Sequence, residues 1–332
     1  LMPKKADNYT EVLGELYSKT DTENNQKLDI IKASNLYDKS KEVTFEGLEE
    51  KFNAILKKHI KRDSYFKIKS GIFGTKQSLD SSFYNKSEEK ENETQAFLET
   101  KKKEEQERKN NFLKYRKQTI SNLEKSSFVF ENSHLNFLDK SRKYHFKILD
   151  YIFLNDNFAY KIAFTPKRGA DYEGILYINT DDFAIIRVDF ENVKDIKSFS
   201  LLGLSFNENL HKGTFIYSKN SENTYSLKYA ETELGSRFGI KRPLTIIEKN
   251  KHTKGRRKQN EISTEIHFII SNVVKKELVV FENKIINESV FNNFKEKAST
   301  EPTYLPKYDP DFWKGHNVIE PNQAIKSFKS IE

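Results

Sequence analysis

Seven histidines, at positions 59, 134, 145, 211, 252, 267 and 316, are the chain's natural general bases and metal ligands. None has a partner at His-x-x-Glu or His-Glu-x-x-His spacing, which a helix needs to bring two ligands and a base to one face. Metallopeptidase chemistry is therefore disfavoured, and His145 and His267 read as outward-facing residues of alternating runs. The chain has no cysteine, so thiolate metal sites, iron–sulfur clusters, disulfides and cysteine nucleophiles are excluded. No Gly-x-Ser-x-Gly elbow occurs, and Gly71-Ile-Phe-Gly74-Thr75-Lys76 spaces its glycines too closely for a phosphate-binding loop. Asp309-Pro-Asp311-Phe-Trp-Lys-Gly315, with Glu320 beyond it, has the outline of a calcium loop. Trp313 takes a ligand position there and Lys314 the turn glycine's. The adjacent acids Asp181 and Asp182 fall at a turn tip, where Asp bonds its own backbone; a hydrolase drawing on them is the second reading of function. The residues name no catalytic group, no metal and no cofactor.

The densest local charge is Lys249-Asn-Lys-His-Thr-Lys-Gly-Arg-Arg-Lys258. Lys249, Lys251, Lys254, Arg256, Arg257 and Lys258 stand together without an acid, between strand-like runs Pro243–Glu248 and Ile262–Ile270. A basic hairpin tip of this kind suits anionic surfaces, either lipid and lipopolysaccharide headgroups or nucleic acid. It lacks interleaved aromatic residues on which bases would stack, which makes nucleic acid the third reading. The whole-chain charge of +8 and pI near 9.1 point the same way.

The elements that must carry these groups divide the 332 residues into three stretches. In 1–126, Phe45, Leu48, Phe52, Ile55, Leu56 and Ile60 fall at helical spacing over Thr44–Lys61. Tyr65–Lys69 alternates as a short strand, and 87–109 is a charged, solvated helix with acids first and bases last. In 127–298 the period becomes two, with turns at Asn155–Asn157, Arg168–Asp171, Asn179–Asp182 and Asn207–Asn209. This predicts an antiparallel meander with one apolar face bearing Phe146, Tyr160, Phe164, Val188, Phe190 and Phe268. In 299–332, Pro302, Pro306, Pro310 and Pro321 alternate with aromatics, giving an extended tail and a short helix from Pro321. The reading is α+β: one integrated domain in which a curved, half-barrel-like antiparallel sheet packs on the Thr44–Lys61 helix. No apolar run is long enough to span a bilayer as a helix.

Tyr160 to Phe190, Asp311 to Gln323 and Asp63 to Gly71 carry a family resemblance. They resemble the body of Bacteroidetes carboxypeptidase-like regulatory-domain proteins, in which an export signal and a small β-sandwich usually come first. The Gly174–Phe190 stretch is also similar to the repeating unit of lipoprotein-carrier folds, whose curved sheet wraps a helix or an acyl chain. These resemblances imply a non-enzymatic binding or assembly protein of the bacterial periplasm or outer membrane, acting on an envelope protein or lipid. Its apolar sheet face would hold either its own helix or an elongated ligand.

Overall fold

Alternation of apolar and polar residues sets the architecture, and two sheets result. The computed structural model describes residues 7–19, 26–37, 64–71, 73–77, 103, 107, 111–131, 133–154, 157–167, 169–220, 222–250, 252, 254, 258–297 and 300–328. The smaller sheet joins β1 (Asn8–Ser18) antiparallel to β2 (Gln26–Tyr37), with β13 (Thr303–Leu305) parallel on β2's other side. This corrects the reading of 1–126 as helical with one short strand. The register slips between Leu13 and Gly14, leaving Ile31 as an extra, exposed residue. That bulge breaks the period of two that would have announced β2, since Leu28 and Ile30 fall before it and Ala33, Ser34 and Leu36 after it. The Thr44–Lys61 helix lies outside the described residues, as does 87–109 apart from Lys103 and Glu107, which are helical.

The larger sheet is antiparallel throughout and open. It contains β3 (Ser64–Ser70), β4 (Phe73–Gln77), β5 (Tyr144–Leu154), β6 (Asn157–Pro166), β7 (Tyr172–Asn179) and β8 (Ile185–Asn192). With them are β9 (Lys197–Leu201), β10 (Leu204–Lys219), β11 (Tyr225–Asn250) and β12 (Lys258–Val279). The order runs β4-β3-β11-β10-β8-β7-β6-β5, with β9 also on β10 and β12 on the far side of β11. Strands β11 and β12 far exceed the runs Pro243–Glu248 and Ile262–Ile270 anticipated for them. Pro243 is tolerated because it falls between β10's last pairing on β11, at Ile240, and β3's first, at Thr245.

The core of this sheet is built in cross-strand rows. Phe164, Gly174, Phe190 and Gly213 face one another across β6, β7, β8 and β10; Leu176, Val188, Phe215 and Ala230 form the next row. Large rings sit over missing side chains. A Cβ at Gly174 would lie 2.8 Å from the Phe164 ring, and one at Gly213 would lie 3.1 Å from the Phe190 ring. The cover is helix α1 (Phe112–Lys125) through Leu123, followed by the irregular segment carrying Phe128, Leu135 and Phe137. Phe137 stacks on Phe164 with centroids 4.7 Å apart, and Tyr144 donates to Asn136 Oδ1 at 3.0 Å. Among the described residues, this helix and segment take the place assigned by sequence to Thr44–Lys61.

Helix α1 also faces the smaller sheet, where Phe112 joins Leu28, Ile30 and Ala33. After β12 come the short helix α2 (Glu288–Asn293) and a tail strapped across that sheet. Tyr17 stacks on Phe294, and Trp313 Nε1 donates to Glu11 at 3.2 Å. The Lys32 ammonium lies 4.3 Å from the Phe312 ring centroid and donates to the Phe312 carbonyl. The closing helix α3 (Gln323–Lys326) begins two residues after Pro321, with the Asn322 side chain as its cap.

Candidate binding face

The covered face of the larger sheet has three zones. In the centre Phe164, Val188 and Phe190 are buried, as the alternation of β6 and β8 demands. Towards β5 the face carries Phe146, Ile148, Tyr151, Phe153 and Phe158, all exposed; Phe158 keeps 65 % of its surface. Tyr151 meets the half-buried Tyr160 at 5.0 Å between centroids, and Phe153 meets Phe158 at 5.1 Å. A bulge between Ile148 and Asp150 keeps these aromatics on the inner face by skipping one residue. Towards β12 the face carries Phe199, Phe206, Phe238 and Ile270 in one four-strand row, and Leu201, Leu204, Ile240 and Phe268 in the next. Phe199, Leu201, Leu204, Phe238 and Ile270 are exposed; Phe206, Ile240 and Phe268 are half-buried.

The six residues assigned by sequence to one apolar surface therefore separate. Phe164, Val188 and Phe190 belong to the sealed centre. Phe146, 43 % exposed, and Tyr160 lie on the β5 wing, so the shared face is not one continuous core. Phe268 belongs to the opposite wing. The β9–β10 hairpin tip was missed by sequence. There Leu202 and Gly203 both take positive φ, 49° and 80°, and Leu202 is exposed. The signal was the apolar run Phe199 to Leu204, which an ordinary surface turn would not carry.

Polar groups on and around this face are committed to structure. His211, buried in β10, accepts from or donates to the Tyr172 hydroxyl through Nδ1 at 2.7 Å, while its backbone N–H donates to Asn192 Oδ1 at 2.6 Å. Burial lowers the imidazole's pKa to about 4 and pushes the Tyr172 phenol up, so both groups are neutral at neutral pH. At the 179–184 turn, Lys219 holds the Asp182 carboxyl below the usual carboxylate range from 2.9 Å, and Tyr225 donates to the same group at 2.9 Å. The Asp181 N–H bonds to Asn179 Oδ1, a local turn contact. On the opposite face, Arg187 grips Asp189 through Nε at 3.0 Å and Nη2 at 2.9 Å, Thr214 adds a bond of 2.7 Å, and Tyr229 donates to both Glu231 and Glu277. Every acid in this ladder has a partner, which describes a solvated face rather than an acid–base pair.

The basic stretch does cap a hairpin, that of β11 and β12. Lys249 pairs with Lys258 at its base, and Lys258 forms an ion pair with Glu261. Lys254 lies in the described part of the tip; Lys251, Arg256 and Arg257 lie outside the described residues. Among the described residues no group of three or more His, Asp or Glu side chains is placed to hold a metal ion, and no helix is long and apolar enough to cross a membrane.

The fold and face define an open antiparallel sheet with a sealed middle and two apolar wings that no element covers among the described residues. In comparison with known proteins, no family model, no curated protein and no solved structure matches the chain.

Proposed function

We propose that the chain is a non-enzymatic binding or assembly protein whose two apolar wings receive an elongated apolar partner. The observation that carries this is the register. The wing residues occupy the same sheet face as the core, those of β5 continuing its rows and those towards β12 forming rows of their own, yet no described element covers them. Exposed apolar surface in contiguous rows marks an interaction site more often than a tolerated accident. A bacterial envelope location and a curvature of the lipoprotein-carrier kind are parts of the same proposal, and the family resemblance supports them. The basic hairpin tip adds attraction to anionic headgroups. The hydrolase reading finds no support in the turn, because Asp182 is occupied by Lys219 and Tyr225.

The test uses protein purified from its own host. Native mass spectrometry is expected to show a co-purified apolar mass, and Phe199→Ser with Phe238→Ser is expected to remove it at unchanged thermal midpoint. A parent that carries no such mass, and that takes up no fatty acid or detergent monomer on titration, would overturn the reading.

A further inference from the structure

Strand β12 runs the length of the β11–β12 arm with one edge hydrogen-bonded to β11 and, among the described residues, no strand on the other. Natural edge strands are guarded by Pro, bulges or charges at mid-strand. Here Lys258–Val279 contains neither Pro nor Gly, its only register slip lies at its start beside Lys258, and His267 to Val274 holds no Asp, Glu, Lys or Arg. Both faces of the strand expose apolar side chains: Ile262, Ile266 and Ile270 on the inner face, Ile269 and Val273 on the outer.

The charges that flank this stretch select its partner. Glu265 precedes it and Lys275 follows it, each five residues from Ile270. Pairing with a second copy in parallel would set Glu against Glu and Lys against Lys. Antiparallel pairing about a two-fold axis at Ile270 sets Glu265 of each copy opposite Lys275 of the other, so that both ends match. The same register places Ile266 opposite Val274 and Ile262 opposite Leu278, keeping the inner faces apolar. A slip by two residues, to an axis at Ile269, would instead set Ile262 against Lys276 and Glu261 against Glu277.

We infer that β12 is a homodimerisation edge, two copies pairing antiparallel about Ile270 from Glu261 to Val279, a ladder of roughly 60 Å at about 3.3 Å per residue. Existing ion pairs do not block it. Glu265 sits 3.7 Å from Lys241, and Lys275 sits 3.1 Å from Glu231, all on the outer face and on the β11 side. The dimer also joins the two β12 wings. The row Phe199–Phe206–Phe238–Ile270 then continues into Ile270 of the second copy and across its sheet, doubling the apolar platform.

The experiment is light scattering of the full chain across the micromolar range, with charge reversals and a thiol probe. The parent is expected to dimerise. Glu265→Lys and Lys275→Glu are each expected to weaken the dimer by about tenfold, and the double reversal to restore it. Because the chain has no cysteine, Ile270→Cys supplies its sole thiol, and mild oxidation is expected to give a covalent dimer, whereas Lys197→Cys gives none. A monomeric parent, a double reversal no better than either single one, or open-ended oligomers instead of a dimer would each overturn the inference. Failure here leaves the apolar-partner reading standing, since that reading is scored by co-purified mass in monomer or dimer alike.

Discussion

The centre of the larger sheet and its two wings share one face, one strand direction and much the same residue types, yet they differ in what lies over them. In the centre, Phe164 and Phe190 are packed over glycines and covered by Phe137 and its neighbours. In the wings, Phe158 and Phe199 keep more than half of their surface. Apolar alternation thus fixes which way a side chain faces, while a covering segment decides whether that face becomes core. Burial is a property of pairs of elements.

The sharpest contrast is a truncation on each side of the boundary. Phe164→Ala is expected to cost about 3–5 kcal/mol, because it removes a fully enclosed ring and leaves a cavity; Phe158→Ala is expected to cost less than about 1 kcal/mol. Urea unfolding of both variants gives the comparison, and equal losses would mean that the wings are covered after all.

Acid should also separate the zones. The His211 imidazole is neutral when folded, with a pKa of about 4 set by burial, against about 6.5 when unfolded. The unfolded chain binds the extra proton between those values, so stability is complete above pH 6.5 and falls as pH drops to 4. The loss is on the order of 3 kcal/mol. A His211→Gln variant is expected to lack that share of the slope between pH 7 and pH 4, measured by denaturant midpoint.

Adding a methyl group probes the fit of rings over glycines. Gly213→Ala would bring a Cβ to 2.1 Å from the Glu231 carbonyl and 3.1 Å from Phe190, and is expected to cost about 1–3 kcal/mol in a thermal scan. The smallest effect belongs to the hairpin tip. Replacing Arg256, Arg257 and Lys258 by Ser is expected to leave the thermal midpoint unchanged while abolishing co-sedimentation with anionic vesicles at low salt. Equal sedimentation of parent and variant would show the tip to be merely solvated.

Much of the larger sheet was legible because its strands alternate and several turns carry Asn and Asp, as at Asn179–Asp182, where Asn179 and Asp182 bond to the turn's own backbone; the turn expected at Asn207–Asn209 is instead a bulged part of β10. The smaller sheet was not, because the bulge at Ile31 broke the phase. The full reach of β11 was hidden by Pro243, which is tolerable only where a second partner strand is missing, a fact about neighbours rather than residues. The same limit applies to the candidate face. The sequence identified Phe146, Phe164 and Phe268 as facing one way, but only the cover from α1 to Phe137 separates the buried one from the others. Phe112–Lys125 itself escaped attention because its apolar stripe is thin, Phe112 and Leu113 being separated from Ile120 and Leu123 by six residues among which only Tyr115 is apolar.

The strap across the smaller sheet bears on how the protein is made. Trp313 and Glu11, which it joins, are 302 residues apart in sequence. At roughly 5–20 residues per second, the ribosome delivers Trp313 tens of seconds after Glu11. Throughout that interval β2 lacks β13 and Lys32 lacks its aromatic lid. Strands β1 and β2 are thus completed only when the strap arrives, and until then they are a part of the nascent chain with much to gain from a chaperone.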